Sequence, residues 1–333
     1  MLISPVRRFK PTQLAFRAER RLGIPLGMSR YEATFLRKHA VDLIFTLYDL
    51  GPWFNLPLLA WLPDFQHVHL PEMFSAAEFK VRDRAYQRTA QWSSRVILGS
   101  KSGLEDFQRF APEFAAKGRV IHFTAQVSAS VYDSDPSWVC EQYDLPERFV
   151  YLPNQFWRHK NHQLVVEALG LLKAQAKATG VTIVCSGSTS DFRNPDYFPE
   201  LQARIEQLGI QDKFLILGMI PHDHIFQLMR QSLAVLQPSL FEGWSTSVEE
   251  TKSIGKRIVL SDLAVHREQD PPAALFFDPH DPQALADGLV KTFEEASPGP
   301  DLALELHARE QLPHRTKTFG EAFMQVAREI VSG

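Results

Sequence analysis

Chemistry concentrates in the segment FEGWSTSVEE (241–250), which follows the apolar run LAVLQPS (233–239). The run reads as a strand, and the residues after it as a loop that turns into a helix near Thr246 or Ser247. A helix amino terminus carries backbone N–H groups without intrahelical partners. With the flexible Gly243 before it, the chain can receive phosphate or hydroxyl oxygens on those amides. Trp244, Ser245, Thr246 and Ser247 occupy that terminus. Glu242, ahead of the helix, is placed to accept hydrogen bonds from sugar hydroxyls, and Glu250, two turns inside, to reach ribose hydroxyls. Two glutamates eight positions apart read, on their own, more readily as a solvated helix face.

A second group lies in NQFWRHKNH (154–162), directly after the strand-like FVYLPN (149–154) and at the opening of another helix. Lys160 there is expected to face the same crevice as Glu242, with Gln155 and Arg158 beside it. VCSGS (184–188) ends a further strand at Gly187, and LGMIPHDHI (217–225) brings Ile220 to a strand end; both also read as plain strand ends. His222 and His224 lack a third ligand at metal spacing, and Asp133 and Asp135 lie in a turn-rich stretch, so no metal site is predicted. In the amino-terminal half, WLPDFQHVHLPEMFS (61–75) offers Asp64, His67 and His69. The two histidines alternate toward one face and could line a cleft, with ordinary loop polarity as the competing reading.

From residue 149 onward, short β-branched or aromatic runs alternate with amphipathic stretches: 149–154, 181–187, 213–219, 233–239, 257–262 and 274–278 read as strands, with helical periodicity between them. This is the grammar of a parallel sheet covered by helices, in which ligands sit beyond the carboxyl ends of the strands. The first half shows it more faintly, with strands at 41–47, 57–64 and 94–100 and a helix between the last two. Residues 1–40 read as helical and basic, and the polar, turn-rich 133–148 as the linker.

At 242–250 the sequence resembles the donor motif of glycosyltransferase family 4, approximately E-G-F-G-L-P-V-L-E-A, matching both glutamates and the glycine. IGKRIVLSDLAVHREQ (254–269) and AALFFDPHDPQALADGL (273–289) resemble that family as well. The resemblance implies an α/β architecture of the GT-B kind, two Rossmann-like doubly wound domains facing a central cleft, the first one short. The expected division is 1–145 on the acceptor side, 146–315 binding the nucleotide sugar, and 316–333 as a helix returning to the first domain. It also implies retaining, metal-independent hexosyl transfer from a nucleotide diphosphate sugar, GDP-mannose ahead of UDP-glucose, to a glycan or lipid-linked acceptor. No cofactor beyond that co-substrate is implied. Lys160 would neutralise the leaving diphosphate and Glu242 hold the sugar. Gln155 stands where the family carries an arginine, Pro63 where it carries a histidine, and Ser245, Thr246 and Ser247 where Gly-Leu-Pro is common. Ile220 would read the base through its backbone. The alternatives are a nucleotide-sugar-binding protein with an incomplete acceptor domain, or a sugar epimerase of the same fold.

The totals fit these readings. The chain has 333 residues, 44% hydrophobic and 23% charged, which is ordinary globular composition long enough for two domains. Its two cysteines, Cys140 and Cys185, imply neither a disulfide framework nor a zinc site and read as buried small hydrophobes. No apolar run is long enough to span a membrane, and the start lacks the features of a secretory signal, so the expected location is the cytoplasm. A net charge of −3 argues against nucleic acid, yet residues 1–40 hold nine Lys or Arg, among them Arg7, Arg8, Arg20 and Arg21, against Glu19 and Glu32. That end is either a solvated basic face or a dock for an anionic acceptor or the inner face of a membrane.

Overall fold

The structure, a computed structural model, describes residues 8–24, 26–47, 49–175 and 180–332. Arg7 lies outside them, as does the end of the helical stretch expected after residue 175. The chain divides into two compact units. One comprises Met1–Val68, Phe74–His122 and Thr318–Gly333; the other comprises His69–Met73 and Phe123–Lys317.

The first unit holds a parallel sheet in the order β1-β2-β3-β4, formed by Ile44–Thr46, Leu58–Trp61, Arg95–Leu98 and Gly118–Val120. Three of these were expected. The fourth, Gly-Arg-Val, is too short and too polar to register as an apolar run. Gly118 is required there by packing, since a Cβ would lie 2.4 Å from Leu104 Cδ1. One sheet face buries Val96 and Leu98 against Tyr86 and Phe107 of the two helices that flank β3, Ala76–Trp92 and Lys101–Phe110. The other buries Leu59, Ile97 and Ile121 against Val326 of the long terminal helix Leu302–Ser332, whose Glu329 also pairs with Arg95 and Arg119. Two helices, Lys10–Leu22 and Met28–Lys38, precede β1.

The second unit is built on six parallel strands: β5 Val150–Pro153, β6 Ile183–Ser186, β7 Phe214–Ile216, β8 Ala234–Gln237, β9 Ile258–Ser261 and β10 Ala274–Phe277. Their order is β10-β9-β8-β5-β6-β7. The period of two along each strand sorts its residues to opposite faces. Val150, Leu152, Ile183, Leu236 and Val259 pack on one side beneath His162–Ala174 and Pro282–Glu295. Tyr151, Val184, Val235, Ile258 and Leu260 pack on the other beneath His222–Gln231 and Thr246–Ile254. Burial on both faces explains why these strands read as continuous apolar runs.

The stretch 133–148 belongs to this unit, and the boundary falls earlier than the sequence places it. Val131 and Val139 enter the apolar core, and buried Arg230 donates to the Val131 and Ser134 carbonyls, both at 2.6 Å, while pairing with Glu305 at 2.6 Å. A guanidinium so held needs those backbone acceptors, which fastens the polar stretch. Asp135 caps its own turn through Ser137, and Asp133 faces Arg309 at 3.9 Å. Among the described residues no helix is long and apolar enough to cross a membrane.

Candidate functional site

The strand order of the second unit reverses direction between β5 and β8, because β6 and β7 extend to one side of β5 and β9 and β10 to the other. The loops leaving the carboxyl ends of two such strands diverge and leave a crevice. They are 154–161 and 238–245, the two segments singled out by sequence. Cross-links hold them together. Asn154 Nδ2 donates to Gln237 Oε1 at 2.7 Å, Leu240 N to the His159 carbonyl at 2.8 Å, and Asn161 Nδ2 to the Pro238 and Pro279 carbonyls at 3.1 and 2.9 Å. Asn161 has φ 59°, a left-handed conformation that asparagine tolerates better than most side chains.

This scaffold brings Lys160 and Glu242 into contact, Nζ to Oε1 at 2.6 Å, with side chains 14% and 10% exposed. Ser239 Oγ reaches the same oxygen at 2.7 Å and also lies 2.9 Å from Gln237 Oε1. Its single proton goes best to the carboxylate, where the bond is charge-assisted. Burial, the largest single influence, pushes the Glu242 carboxyl up, but the charge and hydrogen bond of Lys160 together with His159 and His266 outweigh it and leave the carboxyl below the usual carboxylate range. His159, one residue before the lysine, is depressed to about 3 by burial and then by Lys160, so it stands neutral. Buried His266, with Nδ1 at 2.8 Å from the Ser261 carbonyl, is likewise held down by burial.

The helix Thr246–Ile254 starts at the expected place. Of the four N–H groups that a helix start leaves over, Ser245's goes to Gln269 Oε1 at 3.2 Å, and those of Thr246, Ser247 and Val248 have no intrahelical acceptor. The serine hydroxyls do not join these amides. Both face inward, where Gln237 Nε2 donates to Ser245 Oγ at 2.8 Å and to Ser247 Oγ at 2.6 Å. Trp244 is also turned inward, 8% exposed, with its indole N–H on the Phe123 carbonyl at 3.2 Å. The sequence reading of these side chains as ligand contacts is corrected to a supporting role. Gln237, a polar residue at the end of an otherwise apolar strand, is their hub, and that position was its visible signal.

Glu250, four residues after Thr246, sits about one turn into the helix rather than the two expected. Its carboxyl is 13% exposed and 3.4 Å from His222 Nε2; burial raises its pKa above the usual value, with His222 acting in the opposite direction. Glu249 beside it is structural, bridging Gln269, Lys252 and Arg315. His224, the other histidine of that turn, bonds the Tyr143 hydroxyl. Among the described residues no three His, Cys, Asp or Glu side chains gather as metal ligands.

The remaining expectations separate. Gly187 has φ 138° and a Cβ there would lie 2.4 Å from the Asn154 carbonyl, so the loops after β5 and β6 close on each other at this glycine. Gln155 spends its side-chain oxygen on Ser188 N at 2.7 Å. Arg158 is exposed on the short 3-10 turn Arg158–Lys160 and acts electrostatically on Tyr197 rather than on Glu242. A guanidinium missed by sequence, Arg193, lies over the Trp157 ring at 5.3 Å with Nε 3.4 Å from buried Asp191, near enough to help depress His159. Ile220 is half-buried against the core below Glu250's helix.

His67 and His69 do not share a face. Residues Gln66–His69 form a helical turn, not a strand, so the alternation expected of them is lost. His67 is fully buried among Phe65, Phe74, Phe79, Tyr86 and Phe110 and cannot line a cleft. Exposed His69 packs with the second unit and stacks on Phe241, the neighbour of Glu242, at 4.9 Å. Asp64 is committed to Arg82 at 2.5 Å and to Gln66 N at 2.8 Å.

Residues 142–306 match the family described as glycosyl transferases group 1. Solved structures align over most of the chain. HepE from Anabaena, in complex with UDP and glucose, is 20% identical with a TM-score of 0.67, covering 93% of this chain and 84% of its own. Sucrose-phosphate synthase from Thermosynechococcus elongatus is 18% identical with a TM-score of 0.69, covering 91% and 77%. An alpha,alpha-trehalose-phosphate synthase (UDP-forming) from Burkholderia vietnamiensis is 13% identical with a TM-score of 0.67, covering 97% and 81%. A search of curated proteins by sequence found no match. The chain therefore has the fold of the GT-B glycosyltransferases, and residues 142–306, within its second unit, are similar to the glycosyl transferases group 1 family.

Proposed function

We propose that the protein is a retaining glycosyltransferase that moves a hexosyl group from a nucleoside diphosphate sugar to a glycan or lipid-linked acceptor, without a metal. The observation that carries this reading is the Lys160–Glu242 pair at the strand-order reversal, beside a helix terminus with open amides. As the bond from the anomeric carbon to the phosphate oxygen breaks, charge grows on the diphosphate. Lys160 and the amides of Thr246, Ser247 and Val248 lie where such charge is stabilised without reorganisation. The bond from the acceptor oxygen to the anomeric carbon forms on the same face, and the acceptor proton passes to the departing phosphate oxygen. Glu242 holds sugar hydroxyls and Glu250 the ribose, and His69, which stacks on Phe241, is the proposed acceptor contact.

The donor is taken as UDP-glucose first and GDP-mannose second. Sequence alone ranks them the other way. The fold relatives that hold UDP and glucose, or form UDP, favour the reversal. Thermal-shift measurements with UDP, GDP and ADP and their hexose conjugates test the donor, because a bound ligand raises the melting temperature by mass action. Product configuration by NMR, with and without EDTA, tests retention and metal independence. An inverted product, or activity lost in EDTA and restored by manganese, would overturn the respective claim.

One observation favours a second reading, a nucleotide-sugar-binding protein with little transfer activity: the arginine expected beside Lys160 is Gln155, tied to Ser188. Tight donor binding with neither hydrolysis nor transfer to glycan or lipid acceptors would support it.

A further inference from the structure

We infer that the two amino-terminal helices, with the exposed apolar residues Leu22, Ile24 and Leu26, form a docking face for a bilayer containing anionic lipids. Along Lys10–Leu22, positions 10, 14, 17 and 21 fall within an arc of about 60° at 100° per residue. They are Lys10, Leu14, Arg17 and Arg21, all exposed, Leu14 by 65%. The opposite side of the helix carries buried Phe16 and Glu19. Leu22, the last residue of that helix, is exposed by 69%, and Ile24 and Leu26 are also exposed. Arg30, Arg37 and Lys38 continue the cations along Met28–Lys38.

Charge is sorted by sign. Within the described part of 8–40 the only carboxylates are Glu19 and Glu32, and both are buried. Glu19 is consumed in joining the helices, accepting the amides of Gly27 at 3.1 Å and Ser29 at 2.8 Å at the second helix's start. A solvated helix face mixes both signs, whereas this one is cationic and apolar. The apolar residues choose between partners. A polyanion such as nucleic acid would be served by the cations and gain little from Leu14, Leu22, Ile24 and Leu26, and a second copy of this face would repel it. An interface of anionic headgroups over acyl chains satisfies both at once, with the helices lying in its plane. The inference goes beyond the transferase reading and does not depend on it, because the measurement contains no sugar.

Flotation of the full chain with vesicles tests it, comparing phosphatidylcholine alone with phosphatidylcholine containing phosphatidylglycerol. The expected result is binding to the anionic vesicles at least about tenfold stronger, weakened about tenfold or more by Arg17→Glu with Arg21→Glu. Leu22→Ser with Ile24→Ser, which touches no buried group, should weaken it to a similar degree, and circular dichroism melts verify that each variant folds. Equal or absent binding to both vesicles overturns the proposal. So does binding that the Leu22/Ile24 variant leaves unchanged, which would mark a purely electrostatic contact with any polyanion.

Discussion

Two acid–base pairs stand along one loop and helix of the second unit, and they are built differently. Lys160 and Glu242 meet at 2.6 Å with both side chains nearly buried, and Ser239 braces the carboxylate. His222 and Glu250 are 3.4 Å apart, with the imidazole 63% exposed. The first pair is fixed from below by two loops bonded to each other and by the Gln237 hub. The second joins a buried carboxylate to a side chain that can swing into water. A site that stabilises charge must be preorganised before the reaction, whereas one that grips a ribose can close on its ligand. Under the proposed function, the first pair does chemistry and the second supplies affinity.

The largest effect should come from breaking the first pair. Lys160→Ala is expected to lower kcat by about a hundredfold or more, as removal of a charge-stabilising donor does elsewhere. It also leaves Glu242 buried without its cation, costing about 3 kcal/mol of stability. The double variant Lys160→Ala with Glu242→Gln should recover much of that stability in urea titrations and none of the turnover. If it recovered turnover as well, the lysine would be structural only.

Next in size, Glu250→Ala should raise the KM for the nucleotide sugar about tenfold with kcat changed far less, the loss of hydrogen bonds to a charged acceptor. An equal fall in kcat would erase the proposed division between the pairs. Arg193 and Arg158 then sharpen the first region. Arg193→Gln should lower kcat/KM by about tenfold, while Arg158→Gln, at an exposed position, should stay within about twofold. The reverse order would return the second cation to the position nearest Lys160 in sequence.

The same contrast separates what was legible from what was not. Strand-forming runs are dense in β-branched residues, so all six strands of the second sheet could be read, and the loop carrying Glu242 with its helix start followed from position alone. Lys160 and Glu242 could be paired because both follow strands of one sheet. The direction of side chains was hidden. Whether Ser245, Ser247 and Trp244 face ligand or core depends on Gln237, at the end of the preceding strand, and on Gln269 and Phe123, which are distant in sequence. His67 and His69 were misread because a four-residue helical turn has too little periodicity to distinguish from a strand. Arg193 escaped because its loop carries no strand signal and its place is set by Trp157 and Asp191.

The smallest expected effect concerns pH. Burial raises the Glu250 pKa and His222 works against it, so the carboxylate persists to lower pH with the histidine than without. For folding, a raised acid pKa means that the contribution is full below the ordinary value of 4.5 and lost as pH rises through the folded value. For binding the sign is opposite. The charged form accepts the ribose hydroxyls, so nucleotide affinity is full above the raised pKa and falls as pH drops through it, in a window above 4.5. Removing His222 takes away the counter-charge and moves that window upward. His222→Ala should therefore bind nucleotide within about twofold of the parent at pH 8, a modest change for an exposed partner, and lose affinity earlier on acidification. Glu250→Gln, which cannot ionise, should show a flat profile in the same titration. An acid limb at the same pH with and without the imidazole would mean that the two side chains are neighbours without being coupled.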